Sequence, residues 1–208
     1  AVVMVCGFIN AGNMADGANG LLASIFFFFF MIAYSLDNSV FNFSVLISLL
    51  AFIIFNVSTG KIFLGDGGAY TLGHLLVWSA ILLINRAAEI SPFSILLIFF
   101  WPVADTGLAI WRRWKLGNPT DRPDRLHFHQ LAMRFFEIRF FGRDRRHFVN
   151  PLTTTVLMPL ISIPQVLGVI FWDDLEKTVL CTLGVGLLFI ITYLVGIKMA
   201  KKSRGVYR

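Results

Sequence analysis

Leu21-Leu22-Ala23-Ser24-Ile25-Phe26-Phe27-Phe28-Phe29-Phe30-Met31-Ile32-Ala33-Tyr34-Ser35-Leu36 runs on without one charged side chain. A helix needs ~20 apolar residues to cross the hydrocarbon core of a bilayer, and this stretch comes close. Outward from it the pattern repeats at Val40 to Val57, Tyr70 to Ile84, Phe93 to Trp111, Leu152 to Trp172 and Val179 to Met199, the first and third of the six runs being short. Ala1 to Ile9 opens the chain inside one more apolar stretch. A backbone in lipid must satisfy its own hydrogen bonds, and none of these runs alternates as a barrel strand would. The sequence therefore predicts an all-α, polytopic transmembrane helix bundle: about six complete spans plus the end of a seventh, forming a single integral membrane domain over residues 1–208.

Composition agrees. Of 208 residues 57% are hydrophobic, 22 are Phe, and 14% are charged, against about 25% charged in soluble domains. This excludes a disordered chain, a secreted disulfide scaffold and a soluble nucleic-acid binder exploiting the net charge of +6. Cys6 and Cys181 lie in apolar runs without metal or redox spacing and read as packed thiols. No basic region of a signal peptide stands before the opening stretch, so a further N-terminal part is expected.

Lys and Arg collect on the cytoplasmic side of short loops. Ten lie in the basic segment 112–150, five in the tail from Lys198 onward, and Lys61 joins them by alternation; only Arg86 and Lys177 fall on the opposite side. The orientation places 16 of 18 inside. It also brings the three polar segments, Asn10 to Leu21, Phe63 to Ala69 and the basic loop 112–150, to the inner face, where function is expected.

In the first segment Asn10, Asn13 and Asp16 recur every three residues. On a continued helix they share a face and aim oxygen atoms at one place, which suits a hard cation such as Mg2+; a glycine-rich helix end that uses Asn and Asp to satisfy its own backbone is the alternative. In the second, Gly65-Asp66-Gly67-Gly68 offers close backbone approach and a carboxylate that either holds a metal or caps the next helix. The third centres on Pro119-Thr120-Asp121-Arg122-Pro123-Asp124-Arg125-Leu126-His127-Phe128-His129-Gln130. Arginine forks suit phosphate oxygens, while much of the positive charge serves lipid headgroups. His127 and His129 alone make an incomplete zinc site. Asp105, inside an apolar run, either pairs with Arg112 or Arg113 or supports the site from behind. Leu131 to Phe141 mixes Phe and Arg as an interfacial amphipathic helix would, and could cover the cleft.

Taken in order, Asn10-x-x-Asn13-x-x-Asp16-Gly17-x-Asn19-Gly20-Leu21, Phe63-x-Gly65-Asp66-x-Gly68, Pro102-x-x-Asp105 with Arg112-Arg113, and Pro123-Asp124-Arg125-x-His127-x-His129 resemble the polyprenyl-phosphate N-acetylhexosamine-1-phosphate transferases. That group starts O-antigen, teichoic acid and peptidoglycan lipid intermediates; the likeness covers Ala1 to about Gln130. It implies a multi-pass enzyme of the cell (inner or plasma) membrane. On the cytoplasmic face it would transfer an N-acetylhexosamine-1-phosphate from a UDP-sugar such as UDP-GlcNAc to undecaprenyl or another polyprenyl phosphate, releasing UMP. Mg2+, replaceable by Mn2+, would be the cofactor. By matched position Asp66 and Asn13 would hold the metal, Asp16, Asp66, His127 and His129 would be catalytic, and Asn10, Asn13, Asn19, Arg125, His127 and His129 would contact substrate, with Asn19 reading the uracil. Asn19 and Gln130 stand where many relatives carry Asp and His, and the family's adjacent aspartate pair would precede Asn10. The chain is therefore expected to be the C-terminal part of a larger enzyme, inactive alone. A homodimer is admitted and nucleic acid is not. A transporter and a non-catalytic assembly subunit are the competing readings; the clustering of polar groups at the inner boundary, rather than at the bilayer midplane, disfavours the former.

Overall fold

The computed structural model describes residues 2–86, 90–115, 117 and 126–204. Among these the elements are helical throughout: α1 (Val2–Ala15), α2 (Leu21–Asp37), α3 (Val40–Thr59), α4 (Gly65–Arg86), α5 (Pro92–Ile98), α6 (Phe100–Lys115), α7 (Phe128–Phe136), α8 (Arg146–Ile170) and α9 (Leu175–Arg204). The all-α expectation holds.

The quoted apolar stretch becomes α2, buried at every residue from Leu21 to Phe26 and again at Phe29, Phe30, Ile32 and Ala33. A helix apolar on all sides is most stable in the middle of a bundle, and α2 packs against α3, α4 and α8. Around it Val40–Thr59, Gly65–Asn85, Arg146–Ile170 and Leu175–Met199 are long and apolar enough to span a bilayer. At 17 residues α2 is a shorter apolar helix. The flank of α9 leaves Leu180, Leu183, Leu187 and Ile191 exposed, as a lipid-facing helix should. Cys6 is exposed rather than packed, and Cys181 is half-buried.

The run Phe93 to Trp111, expected as one span, is instead α5 and α6 meeting at 82°. Pro102 explains the break. It has no N–H to give to the carbonyl of Ile98 four residues back, and its ring crowds that carbonyl. In lipid an abandoned carbonyl costs several kcal/mol, and here the buried Gln165 of α8 supplies the donor: its Nε2 lies 3.2 Å from Ile98 O and 3.4 Å from Ile25 O. One side chain thus ties the bend to α2 and α8. Ser94 Oγ donates to Gly168 O at 2.6 Å, a close approach that Gly168 permits because a Cβ there would meet Ser94 O at 2.7 Å.

The two ends of the bundle differ. At one, Ser91 N–H donates to Trp172 O at 2.7 Å, and the hydroxyls of Ser91 and Thr178 share a 2.7 Å bond. At the other gather the turn 16–20, the loop 60–64 and residues 126–127. Gly60 closes α3 in the left-handed region (φ 62°) with its N–H on Asn56 O, while the buried Asn56 side chain holds Ile62 O. The three polar segments therefore share one end, as alternation of the spans requires. Within the basic loop, α7 packs on α8 and α9 and continues as a wider helical turn, Glu137–Phe141. There Ile138, Arg139 and Phe140 are exposed.

Candidate active site

The turn between α1 and α2 carries the first group. Asp16 follows the last residue of α1 with its N–H on Asn13 O at 3.2 Å, and its side chain is half-buried. Its carboxyl is held above the usual carboxylate range: burial is the main cause, the Gly65 amide opposes it, and the charge of Asp66 adds to it. Asp66, in the first turn of α4, is exposed. The two acids, 50 positions apart in the chain, are thus electrostatic neighbours. Asn13 joins α1 to α4 by donating to Tyr70 Oη at 3.2 Å. Asn10 is exposed, and its amide turns back to Cys6 O on its own helix at 2.7 Å.

The histidine pair meets this turn from the other side. His129 is 1% exposed, and its ring lies on Gly17, where an added Cβ would stand 2.7 Å from Cε1 and 2.8 Å from Cδ2. Both ring nitrogens are buried without a hydrogen-bond partner among the described residues. Burial, reinforced by His127 and opposed by Asp105, pushes its pKa down to about 4, so the ring is neutral near pH 7. The His127 ring stacks on it, centroids 5.8 Å apart and planes 8° apart. His127 Nδ1 lies 2.9 Å from Asp105 Oδ2, and Phe128 N–H donates to Asp105 Oδ1 at 2.9 Å. These contacts tie Asp105 to His127, while its charge also reaches Arg112. Arg112, a turn or two along α6, hydrogen-bonds the Tyr193 hydroxyl, which donates to Leu126 O at 3.2 Å and so fixes the approach to the pair.

Asn19, the expected base reader, lies in the turn just before α2. Its side chain is buried, with Nδ2 against Gly60. Its backbone N–H donates to Asn150 Oδ1 at 2.8 Å, and its carbonyl accepts from Thr154 Oγ1 at 2.7 Å. These contacts make it a staple between the turn, α3 and α8. Arg125 and positions 118–124 lie outside the described residues. Sequence reasoning left Gly17, Tyr70, Asn150 and Thr154 without a role. Only Gly17, inside a quoted motif, carried a local signal.

No group of three or more His, Cys, Asp or Glu that could hold a metal occurs among the described residues. The donors that do converge are oxygen atoms, Asp66 and Asp16 with Asn13 beside them. Two neighbouring carboxylates, one already reluctant to ionise, are the arrangement a divalent cation relieves. Mg2+ is usually held by one or two carboxylates plus substrate phosphates, so the set fits Mg2+ shared with a substrate and not a closed zinc cage.

Residues 1–84 match the family model described as Glycosyl transferase family 4. The chain is 31% identical over 107 residues to the undecaprenyl-phosphate alpha-N-acetylglucosaminyl 1-phosphate transferase of Haemophilus influenzae, covering 48% of this chain and 30% of that one. It is 31% identical over 144 residues to a probable undecaprenyl-phosphate N-acetylglucosaminyl 1-phosphate transferase of Bacillus subtilis, covering 64% and 40%. It is 39% identical over 116 residues to the phospho-N-acetylmuramoyl-pentapeptide-transferase of Levilactobacillus brevis, covering 52% and 35%. No solved structure matches the chain. The aligned regions span well under half the length of these relatives. The stretch that matches glycosyl transferase family 4, residues 1–84, contains both motif-bearing turns, Asn10 to Leu21 and Phe63 to Ala69.

Proposed function

We propose that this chain carries the cytoplasmic-face site of a membrane transferase that moves N-acetylhexosamine-1-phosphate from a UDP-sugar to a polyprenyl phosphate and releases UMP. The observation that carries the reading is the meeting of Asp16 and Asp66 at one side of the 16–20 turn with His129 on Gly17 at the other. In the reaction an oxygen of the lipid phosphate attacks the β-phosphorus of the sugar nucleotide, the bond from that phosphorus to the bridging oxygen breaks, and UMP departs. Such transfers ask mainly for positioning and charge neutralisation. When bound, Mg2+ would neutralise the diphosphate, held by Asp66 and Asp16 with Asn13 alongside. His129, neutral and with both ring nitrogens unpartnered among the described residues, would offer a hydrogen bond to a phosphate oxygen rather than a charge. Arg125 would supply the guanidinium. Lys and Arg on the same side as the motifs support a plasma-membrane protein with its site facing the cytoplasm.

The test is UMP release from UDP-GlcNAc and undecaprenyl phosphate by membranes containing the full-length protein with Mg2+. Asp66→Ala is expected to reduce it to background. Full turnover by that variant would remove the assigned site.

A further inference from the structure

We infer that Asp105 is a positioning residue: it fixes the tautomer and orientation of His127, so that Nε2 is the ring atom left for a ligand. The inference rests on the transferase reading and names a part of its machinery. Asp105 is 2% exposed and sits in α6 three residues after Pro102. A buried carboxylate in such a setting costs several kcal/mol unless both oxygens are used, and both are. Oδ1 takes the N–H of Phe128 and Oδ2 faces Nδ1 of His127, each at 2.9 Å. The first contact alone would be a helix cap. α7 begins at Phe128, its N-cap residue is His127, and that side chain makes no capping bond, so Asp105 caps α7 from another helix.

The second contact is not needed for capping. An ionised carboxylate only accepts, so the His127 nitrogen that faces it must carry the proton. Nδ1–H is thereby committed, and Nε2 makes no hydrogen bond among the described residues. Among the described residues, His129 stacks on the His127 ring, and the charge of Arg112 interacts with that of Asp105. His129 in turn lies on Gly17, next to Asp16. Asp105 therefore aligns the edge of an imidazole beside the turn that carries the acids, without itself facing that turn.

Four variants of the full-length enzyme test this: Asp105→Asn, Asp105→Glu, His127→Ala and the Asp105→Asn/His127→Ala double. Asn keeps an oxygen for Phe128 N–H but turns an amide N–H toward His127 Nδ1, forcing the proton to Nε2. We expect kcat for UMP release to fall about 100-fold, the scale of a misplaced acid–base group, with KM for UDP-GlcNAc within about twofold and partial recovery in Asp105→Glu. In the His127→Ala background, Asp105→Asn should add less than about a twofold loss. A purely structural Asp105 would multiply the loss in both backgrounds. The 15N spectrum of labelled His127 gives a readout independent of turnover: a protonated Nδ1 in the parent supports the inference, and a protonated Nε2 overturns it. Parental kcat in Asp105→Asn also overturns it. If the parent itself releases no UMP, the transferase reading fails while the His127 spectrum still decides this point. Should Asp105→Asn not accumulate, the parent spectrum and Asp105→Glu decide it.

Discussion

Replacing Gly17 by alanine probes the contact that joins the first motif to the histidine pair. The new Cβ would lie 2.7 Å from Cε1 and 2.8 Å from Cδ2 of His129, and nearer still to Nε2, where carbon atoms prefer about 3.5–4.0 Å. His129 is 1% exposed, so its ring cannot swing clear without disturbing its neighbours. Overpacking of this kind costs about 1–3 kcal/mol, worth roughly 5- to 150-fold in an equilibrium and about 2–4 °C of melting midpoint per kcal/mol in a chain this long. Activity should suffer more, because a misplacement near 1 Å can cost about 100-fold. Purified full-length protein in nanodiscs would be followed by thermal unfolding and UMP release. Gly186→Ala, whose Cβ would meet nothing within 4 Å, serves as control and should match the parent in both. His129→Ala relieves the clash, so Gly17→Ala should do less harm in that background, with a coupling of about 1 kcal/mol or more. Strictly additive losses, or a Gly17→Ala protein that melts and turns over like the parent, would refute the packing argument.

Three further outcomes are expected. The folded His129 binds its proton more weakly than an unfolded histidine, about 4 against 6.5, so its contribution to stability is complete above about pH 6.5. It is lost as pH falls towards 4 and changes no further below that, for a total of roughly 3 kcal/mol; melting midpoints between pH 7 and 4 should show the decline, and His129→Gln should flatten it. Gln165→Leu removes the donor to Ile98 O and Ile25 O and should cost about 1–3 kcal/mol, seen as a lower melting midpoint; no change would mean that the bend satisfies itself. Asn19→Asp places a carboxylate at a position where the native side chain is 7% exposed and should lower the melting midpoint with KM for UDP-GlcNAc within about twofold. An altered preference among nucleotides at the parental midpoint would instead support Asn19 as a base reader.

The bundle was legible because apolar runs without charge have one solution in lipid, and the sharing of one end by the motifs followed from counting Lys and Arg. That Asp16 and Asp66 could be neighbours was readable only at this level, since the 49 intervening residues carry no distance information. The partnership of Asp105 with His127 was less accessible: a spacing of 22 residues across a basic loop distinguishes neither His127 nor Arg112 as its partner. Asn19 is a case the sequence could not separate: its side chain is buried near Gly60, while Asn150 and Thr154 hold its backbone, and a motif alone does not tell such a structural contact from a ligand contact. Hydropathy could not reveal the 82° break, because it scores Pro102 by its carbon atoms and not by its missing N–H. The signal was nonetheless local, a proline ten residues before Arg112, the first basic residue after the run.

That break is also what connects the fold to the site. Pro102 and Asp105 lie three residues apart, on one turn of α6, so the residue that redirects the helix and the residue that holds His127 move as a unit. A straight helix through Phe93 to Trp111 would carry Asp105 along the axis of α5, which packs on α8 and α9. After the bend, α6 packs chiefly on α1 while its side chains still reach α8 and α9, and α1 is the helix that delivers Asn13 and Asp16. The cost of the bend is a carbonyl stranded at Ile98, which Gln165 satisfies from 67 residues further along the chain. Substituting Pro102 by alanine should therefore disturb His127 at a distance, by letting α6 straighten away from α1, even though Pro102 makes no hydrogen bond to the site.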